Sequence, residues 1–340
     1  MYRLAINGYG RIGRSVLRAL VEGPYRQQLQ LVAINEPADA QTICHLTRYD
    51  STHGRFHGDV GLQNGRLLVN GHDIALSHHD AVADIHWPDV DLVLECSGSY
   101  SDCATARLHL QQGAKRVLFS QPAEADVDAT VVYGVNHQDL QPQHRIISAA
   151  SCTTNGSVPV LKLLQERFGI ECATITTIHS AMNDQPVIDA YHHTDLRKTR
   201  SASQSMIPVE TGLAKGIERI LPELTGLLSA QAIRIPTVNV SAMDITVLLK
   251  QNISVDTINT CLRQFAAQNP GIIGFNDQPL ASIDFNHDAH SLIIDATQTR
   301  ISGQRLLKLF VWFDNEWAYA NRMLDIAHCL KNLANNENEG

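Results

Sequence analysis

Apolar positions along this chain recur in two periods. Residues 3–7 (RLAIN) form a short apolar run followed by a glycine-bearing turn. From Arg11 to Glu22, apolar Ile12, Val16, Leu20 and Val21 then fall at helical spacing. A second apolar run, 29–35 (LQLVAIN), completes a strand–helix–strand unit. A helix is predicted over 39–49, and Asn64-Gly65 and Asn70-Gly71 flank short alternating segments, the mark of β-hairpins. Further strands are predicted at 90–96, 115–120, 129–135 and 145–149, with a helix at 101–112. Alternation of strand and helix over 1–150 implies a doubly wound parallel sheet of Rossmann type.

The second half has another rhythm. A helix is predicted just after Cys152, and strands at 172–179, 229–236, 239–249, 281–285, 291–300 and 306–313. Helices are predicted at 210–221, 255–267 and 316–333, and the polar tail 335–340 is expected to fray. Few helices among many strands imply an α+β domain with a mostly antiparallel or mixed sheet. Two domains also suit 340 residues, more than one hydrophobic core usually organises. The change of pattern places the boundary near 150.

Composition narrows the class. The chain is 44% hydrophobic and 18% charged, with a formal charge of -8 and no Lys/Arg block. A packed, ordered protein is expected, with neither a nucleic-acid surface nor a membrane span. Seven dispersed cysteines without a CxxC pair argue for free thiols and a cytoplasmic setting, and no metal-ligand spacing stands out.

Two constellations carry candidate chemistry. Gly8-Tyr9-Gly10-Arg11-Ile12-Gly13 fits G-x-G-x-x-G between a predicted strand and a predicted helix. There the glycines let backbone approach a pyrophosphate at a helix N-terminus. Glu36, after the second strand, is placed to accept hydrogen bonds from ribose hydroxyls and to repel a 2′-phosphate, so NAD is expected over NADP. Ser97 and Ser120 fall at strand C-terminal ends, where such sheets bind cofactors. Cys152 lies between a strand and a helix whose N-terminus favours thiolate, and His179 ends a strand where an imidazole can share the thiol proton. On the residues alone this pairing stays open, since a lone cysteine is more often a small buried hydrophobe.

Longer motifs close that question by resemblance. NGYGRIGR (7–14), YDSTHGRF (49–56), SCTTN (151–155), TIHSAMNDQ (177–185), ETG (210–212), RIPTVNVS (234–241) and DNEWAYANR (314–322) resemble, in order, the glyceraldehyde-3-phosphate dehydrogenase family. The resemblance implies catalysis by Cys152 and His179 on a small phosphorylated aldehyde. It implies phosphate contacts from Ser151, Thr153, Arg200, Thr211, Gly212 and Arg234, and a nicotinamide contact from Asn315. It further implies a catalytic domain over 151–315, a C-terminal helix 316–333 packing back on the first domain, and a homotetramer. Within the family, DFNHD (284–288), TQTR (297–300) and Met182 resemble a bacterial branch that oxidises D-erythrose 4-phosphate. Gly156 stands where both branches usually carry a second cysteine.

Overall fold

The opening strand–helix–strand pattern is realised as Tyr2–Asn7, Arg11–Glu22 and Leu29–Asn35 in a computed structural model that describes residues 1–339. The chain divides into two units, Met1–Ser151 with the segment from Tyr319 onward, and Cys152–Ala318.

In the first unit the described strands make a nine-stranded sheet, ordered 129–130, 146–148, 114–119, 90–95, 2–7, 29–35, 72–77, 66–69, 60–63. Pairing is parallel from 129–130 through 72–77 and antiparallel in the two closing hairpins. Both Asn-Gly turns adopt left-handed backbone at Asn64, Gly65, Asn70 and Gly71, as tight hairpins require. Asn7 is in register with Asn35 and Glu95, and Glu95 with Phe119. The chain therefore leaves four parallel strands along one edge, the edge where this architecture binds ligands.

The second unit is built on a mixed eight-stranded sheet, again among the described residues. Ile170–His179 pairs parallel with Leu228–Arg234 and antiparallel with Ser241–Leu249, which continues antiparallel to Leu306–Phe313. The Rossmann-type sheet and the mixed second sheet bear out the expected fold class.

Several predicted elements break where local side chains compete with the sheet. The strand expected over 129–135 stops at Thr130, because Asn136 gives its amide to the Thr130 carbonyl and takes the Val132 N–H. Where a strand was expected over 281–285, Ser282–Phe285 forms a 3₁₀ turn, with the Asp284 carboxylate accepting the Ala281 N–H. The strand expected at 291–300 is interrupted at Ala296–Gln298, where Asp295 caps a second 3₁₀ turn. The last helix spans Trp317–Glu339, so the tail expected to fray is helical through Glu339, and Gly340 lies outside the described residues. No helix among the described residues is long and apolar enough to cross a membrane.

Candidate functional site

In the first unit the glycine turn is fixed by close approaches. Gly8 has φ +85°, and a Cβ there would sit 2.4 Å from the backbone of Ser97. A Cβ on Gly13 would meet the Gly8 carbonyl at 2.4 Å, so helix and turn pack backbone to backbone. A Cβ on Gly10 would meet nothing within 4 Å, leaving the turn open on its outer side. Helix Arg11–Glu22 starts at Gly10 with no side-chain cap and no acid in its first turn, so its positive end is not neutralised. Ile12 lies in that turn, and the Arg11 guanidinium is directed to Asp50. Burial works to raise the Asp50 pKa, but Arg11 and the N–H groups of His53 and Thr52 hold it well below the usual range.

The Glu36 carboxylate accepts the Tyr9 N–H at 2.7 Å and so hangs over the same turn. An open backbone cradle, an unneutralised helix end and a carboxylate beside them fit a dinucleotide.

Sequence reasoning missed what supports this edge. Glu95 is 1% exposed and accepts hydrogen bonds from Asn7 Nδ2 (2.6 Å), His109 Nε2 (2.9 Å), and the N–H (2.9 Å) and hydroxyl of Ser97. The Trp87 indole donates to His109 Nδ1 at 3.0 Å. An indole N–H can only donate, so Nδ1 carries the lone pair and Nε2 carries the proton given to Glu95. Ser97 is therefore held by a buried carboxylate whose donors are all neutral. Ser120 donates its N–H to the Glu95 carbonyl (2.9 Å). An acid ending the apolar run Leu92–Leu94 was the available signal.

In the second unit Cys152 is the first residue of helix Cys152–Phe168, and its half-buried Sγ lies 3.8 Å from His179 Nε2. His179 Nδ1 meets the Ser180 carbonyl at 2.8 Å. A carbonyl can only accept, so Nδ1 holds the proton and the Nε2 lone pair faces the thiol. Burial lowers the His179 pKa, with Arg234 adding to the fall and the Ser180 carbonyl and Asp184 opposing it. The imidazole is thus an uncharged base near neutral pH.

At the helix N-terminus, N–H groups favour thiolate in the expected direction, while burial and nearby acids oppose them. Burial pushes the thiol up to about 12, Asp314 and Glu316 push the same way, and the N–H groups of Thr153 and Cys152 pull only partly back.

Residues in unusual backbone conformations flank these groups. Ala150, ahead of Ser151 at the end of the first unit, has φ +57°. Val240 has φ +63°, a conformation that costs a β-branched residue about 1–3 kcal/mol and is commonest at functional sites. The next residue, Ser241, donates its hydroxyl to Asn315 Oδ1 at 2.8 Å, and Ser180 donates to the same oxygen at 3.0 Å. With its oxygen so engaged, Asn315 has its amide N–H groups to offer.

The expected phosphate residues are arranged unequally. Arg234, 9% exposed, is the register partner of His179, and its guanidinium is bound by the Asp184 carboxylate. Arg200 pairs with Asp189 at 3.0 Å, both largely exposed. Thr211 and Gly212 precede helix Leu213–Ile220, which starts without a side-chain cap. That helix approaches the nucleophile's own: a Cβ on Gly216 would lie 3.0 Å from Thr154 Oγ1. Gly156, one turn beyond Cys152, lies against Met243, whose Cε would stand 2.8 Å from an added Cβ.

A dinucleotide cradle in one unit and a thiol–imidazole pair in the other describe a nicotinamide-dependent dehydrogenase. The NAD binding domain of glyceraldehyde 3-phosphate dehydrogenase matches residues 2–103, and the C-terminal domain of that enzyme matches residues 151–315. The two matches cover most of the chain, which belongs to the glyceraldehyde-3-phosphate dehydrogenase family. It is an NAD-dependent oxidoreductase acting on an aldehyde phosphate.

Proposed function

We propose that the protein oxidises D-erythrose 4-phosphate to 4-phosphoerythronate, through a thioester on Cys152 that water cleaves, in the route to pyridoxal 5′-phosphate. The observation that carries the chemistry is the Cys152–His179 pair, with the Nε2 lone pair turned to sulfur.

His179 takes the thiol proton as Sγ attacks the aldehyde carbon, giving a thiohemiacetal. Its Nε2, now bearing that proton, donates to the substrate oxygen, then accepts the hydroxyl proton as the thioester forms. Bound NAD supplies the hydride acceptor. Gly8, Gly10 and Gly13 would hold its pyrophosphate against the first helix, Glu36 its ribose and Asn315 its nicotinamide, with Ser97 and Ser120 as further cofactor contacts. Thr211, Gly212 and Arg200 are assigned to the substrate phosphate with Ser151 and Thr153, while Arg234 is engaged by Asp184.

Met182 supports the four-carbon substrate. Its side chain cannot donate to a phosphate at the position where the three-carbon branch usually has a threonine. An extra carbon lengthens the span from thiol to phosphate by about 1.3 Å, and ~1 Å of misplacement can cost about a hundredfold in rate. Assembly into a homotetramer belongs to the same reading. Val187, Ile188, Tyr191, Leu196 and Met206 are all at least 75% exposed, an apolar density suited to cover by another subunit.

The test is NADH formation with erythrose 4-phosphate and with glyceraldehyde 3-phosphate, each with and without inorganic phosphate. Higher kcat/KM for the four-carbon aldehyde, with no phosphate requirement, is expected. Strict phosphate dependence, or preference for the three-carbon aldehyde, would move the protein to the phosphorylating glycolytic branch.

A further inference from the structure

We propose that His287 is a positioning residue for the nicotinamide: its ring, laid on Trp317, and its N–H, given to Asp314, fix the turn that carries Asn315. The inference rests on the reading above, in which the Asn315 amide meets the nicotinamide, and it names a residue that holds that amide in place. His287 stands within DFNHD (284–288), a segment by which the chain resembles the four-carbon branch.

Residues 314–316 join strand Leu306–Phe313 to the last helix, which Trp317 begins, all within the second unit. Asp314 is 0% exposed and organises this turn. Its Oδ1 accepts the N–H groups of Glu316 (3.0 Å) and Trp317 (2.8 Å). Its Oδ2 accepts the His287 N–H at 2.7 Å and Asn239 Nδ2 at 2.8 Å. The next residue, Asn315, is held through its own Oδ1 by Ser180 and Ser241.

Two left-handed residues deliver these contacts. Val240 separates Asn239, which serves Asp314, from Ser241, which serves Asn315. His287, with φ +67°, is the second, and Asn239 Nδ2 also reaches Oδ1 of its neighbour Asn286 at 2.8 Å. Two turns distant in sequence are thus tied together around one dipeptide, Asp314-Asn315.

The histidine side chain is what distinguishes this position. A glycine would take φ +67° freely, and the bond to Asp314 needs only a backbone N–H. The imidazole adds a stack: its ring centroid lies 3.5 Å from that of Trp317, with the planes 22° apart. Trp317 is 5% exposed and stands two positions past Asn315. The stack covers one face of the indole and resists rotation of the turn about its Asp314 anchor. Without it, Asn315 would swing, and a cofactor held at its adenosine end would meet a misplaced amide. Hydride transfer is sensitive to such a swing, since ~1 Å of misplacement can cost about a hundredfold in rate.

The experiment compares the full-length native protein with His287→Asn, His287→Phe, Asn315→Ala, and the double variant of His287→Asn with Asn315→Ala. Asparagine accepts left-handed backbone, so it removes the ring and leaves the turn. Phenylalanine keeps a ring for the stack. Calorimetric titration gives the affinities for NAD and for ADP-ribose, which has no nicotinamide. Single-turnover NADH formation from aldehyde carrying deuterium at C1 reads the hydride step. His287→Asn should weaken NAD by about three- to tenfold, the worth of one hydrogen bond, and leave ADP-ribose unchanged. It should slow hydride transfer by about tenfold or more, with a larger isotope effect. His287→Phe should restore most of both. The double variant should be no worse than Asn315→Ala, because both changes act on one amide. Equal weakening of NAD and ADP-ribose would overturn the role of His287. So would a fall in thermal stability with NAD affinity and isotope effect unchanged, for then the stack only holds the fold. If Asn315→Ala separates NAD from ADP-ribose and His287→Asn does not, His287 alone loses its role. If Asn315→Ala fails to separate them, the nicotinamide reading falls, and the proposal with it.

Discussion

Glu95 in the cofactor unit and Asp184 in the catalytic unit are both carboxylates held in place, but by opposite means. Glu95 is sealed from solvent and held by neutral donors from Asn7, His109 and Ser97. Asp184 is about 40% exposed at its side chain and held by two cations. A carboxylate satisfied by uncharged donors in a closed site has nothing to exchange with, and it behaves as scaffold. A carboxylate between an arginine and a lysine at a surface that admits solvent occupies a place another anion can take. Glu95 therefore fixes geometry, and Asp184 keeps its charge available for chemistry.

The largest effect that would sharpen this division is expected from Cys152→Ser. Oxidation should be lost, because an alkoxide is far harder to form near neutral pH than a thiolate. NAD affinity, measured by fluorescence titration, should stay close to native. More than trace activity in the serine variant would remove covalent catalysis from the account.

His179→Asn comes next, with a slowing of about 10²–10⁴, the usual range for a lost general base, and the fold intact by circular dichroism. The native pH profile tests the same residue. The imidazole must be uncharged to take the thiol proton, and burial lowers its pKa. Acidification should therefore cut kcat/KM only below the ordinary histidine range. An acid limb lying above that range would contradict the buried, neutral base.

The smallest effect on turnover, and the largest on stability, is expected from Glu95→Ala. It leaves His109 Nε2 and Asn7 Nδ2 without their acceptor in a closed site, while the exposed Ser97 can turn to water. At about 1–3 kcal/mol for each unsatisfied buried group, urea unfolding should show a loss of at least about 2 kcal/mol. A loss below about 1 kcal/mol would mean that water replaces the carboxylate, and that the cofactor unit is no more rigid than the catalytic one.

What could be read from the chain beforehand follows the range of the interactions. The glycine turn, the Asn-Gly hairpins and the first helix depend on neighbours a few residues apart, and the structure places them where the pattern predicts. The elements at 129–135, 281–285 and 291–300 were misread because Asn136, Asp284 and Asp295 compete for backbone groups, which hydrophobic periodicity does not register. Cys152 and His179 stand 27 positions apart and became a pair only through resemblance to a family. The Arg234–Asp184 contact spans 50 positions, and nothing in either segment announces that the arginine is engaged by an acid. Resemblance gave Arg234 as a phosphate contact, and its acid partner was not foreseen.

Gly156 has a consequence for the lifetime of the enzyme under oxidants. Peroxide converts a cysteine to a sulfenic acid, which is rescued most readily when a second thiol stands near enough to condense with it. One helical turn past Cys152 there is no side chain, only the space filled by the Met243 methyl group. A sulfenic acid on Cys152 finds no resolving thiol at that position of its own helix. Its recovery then depends on a thiol from elsewhere, such as glutathione, arriving before further oxidation to the sulfinic acid makes the loss permanent.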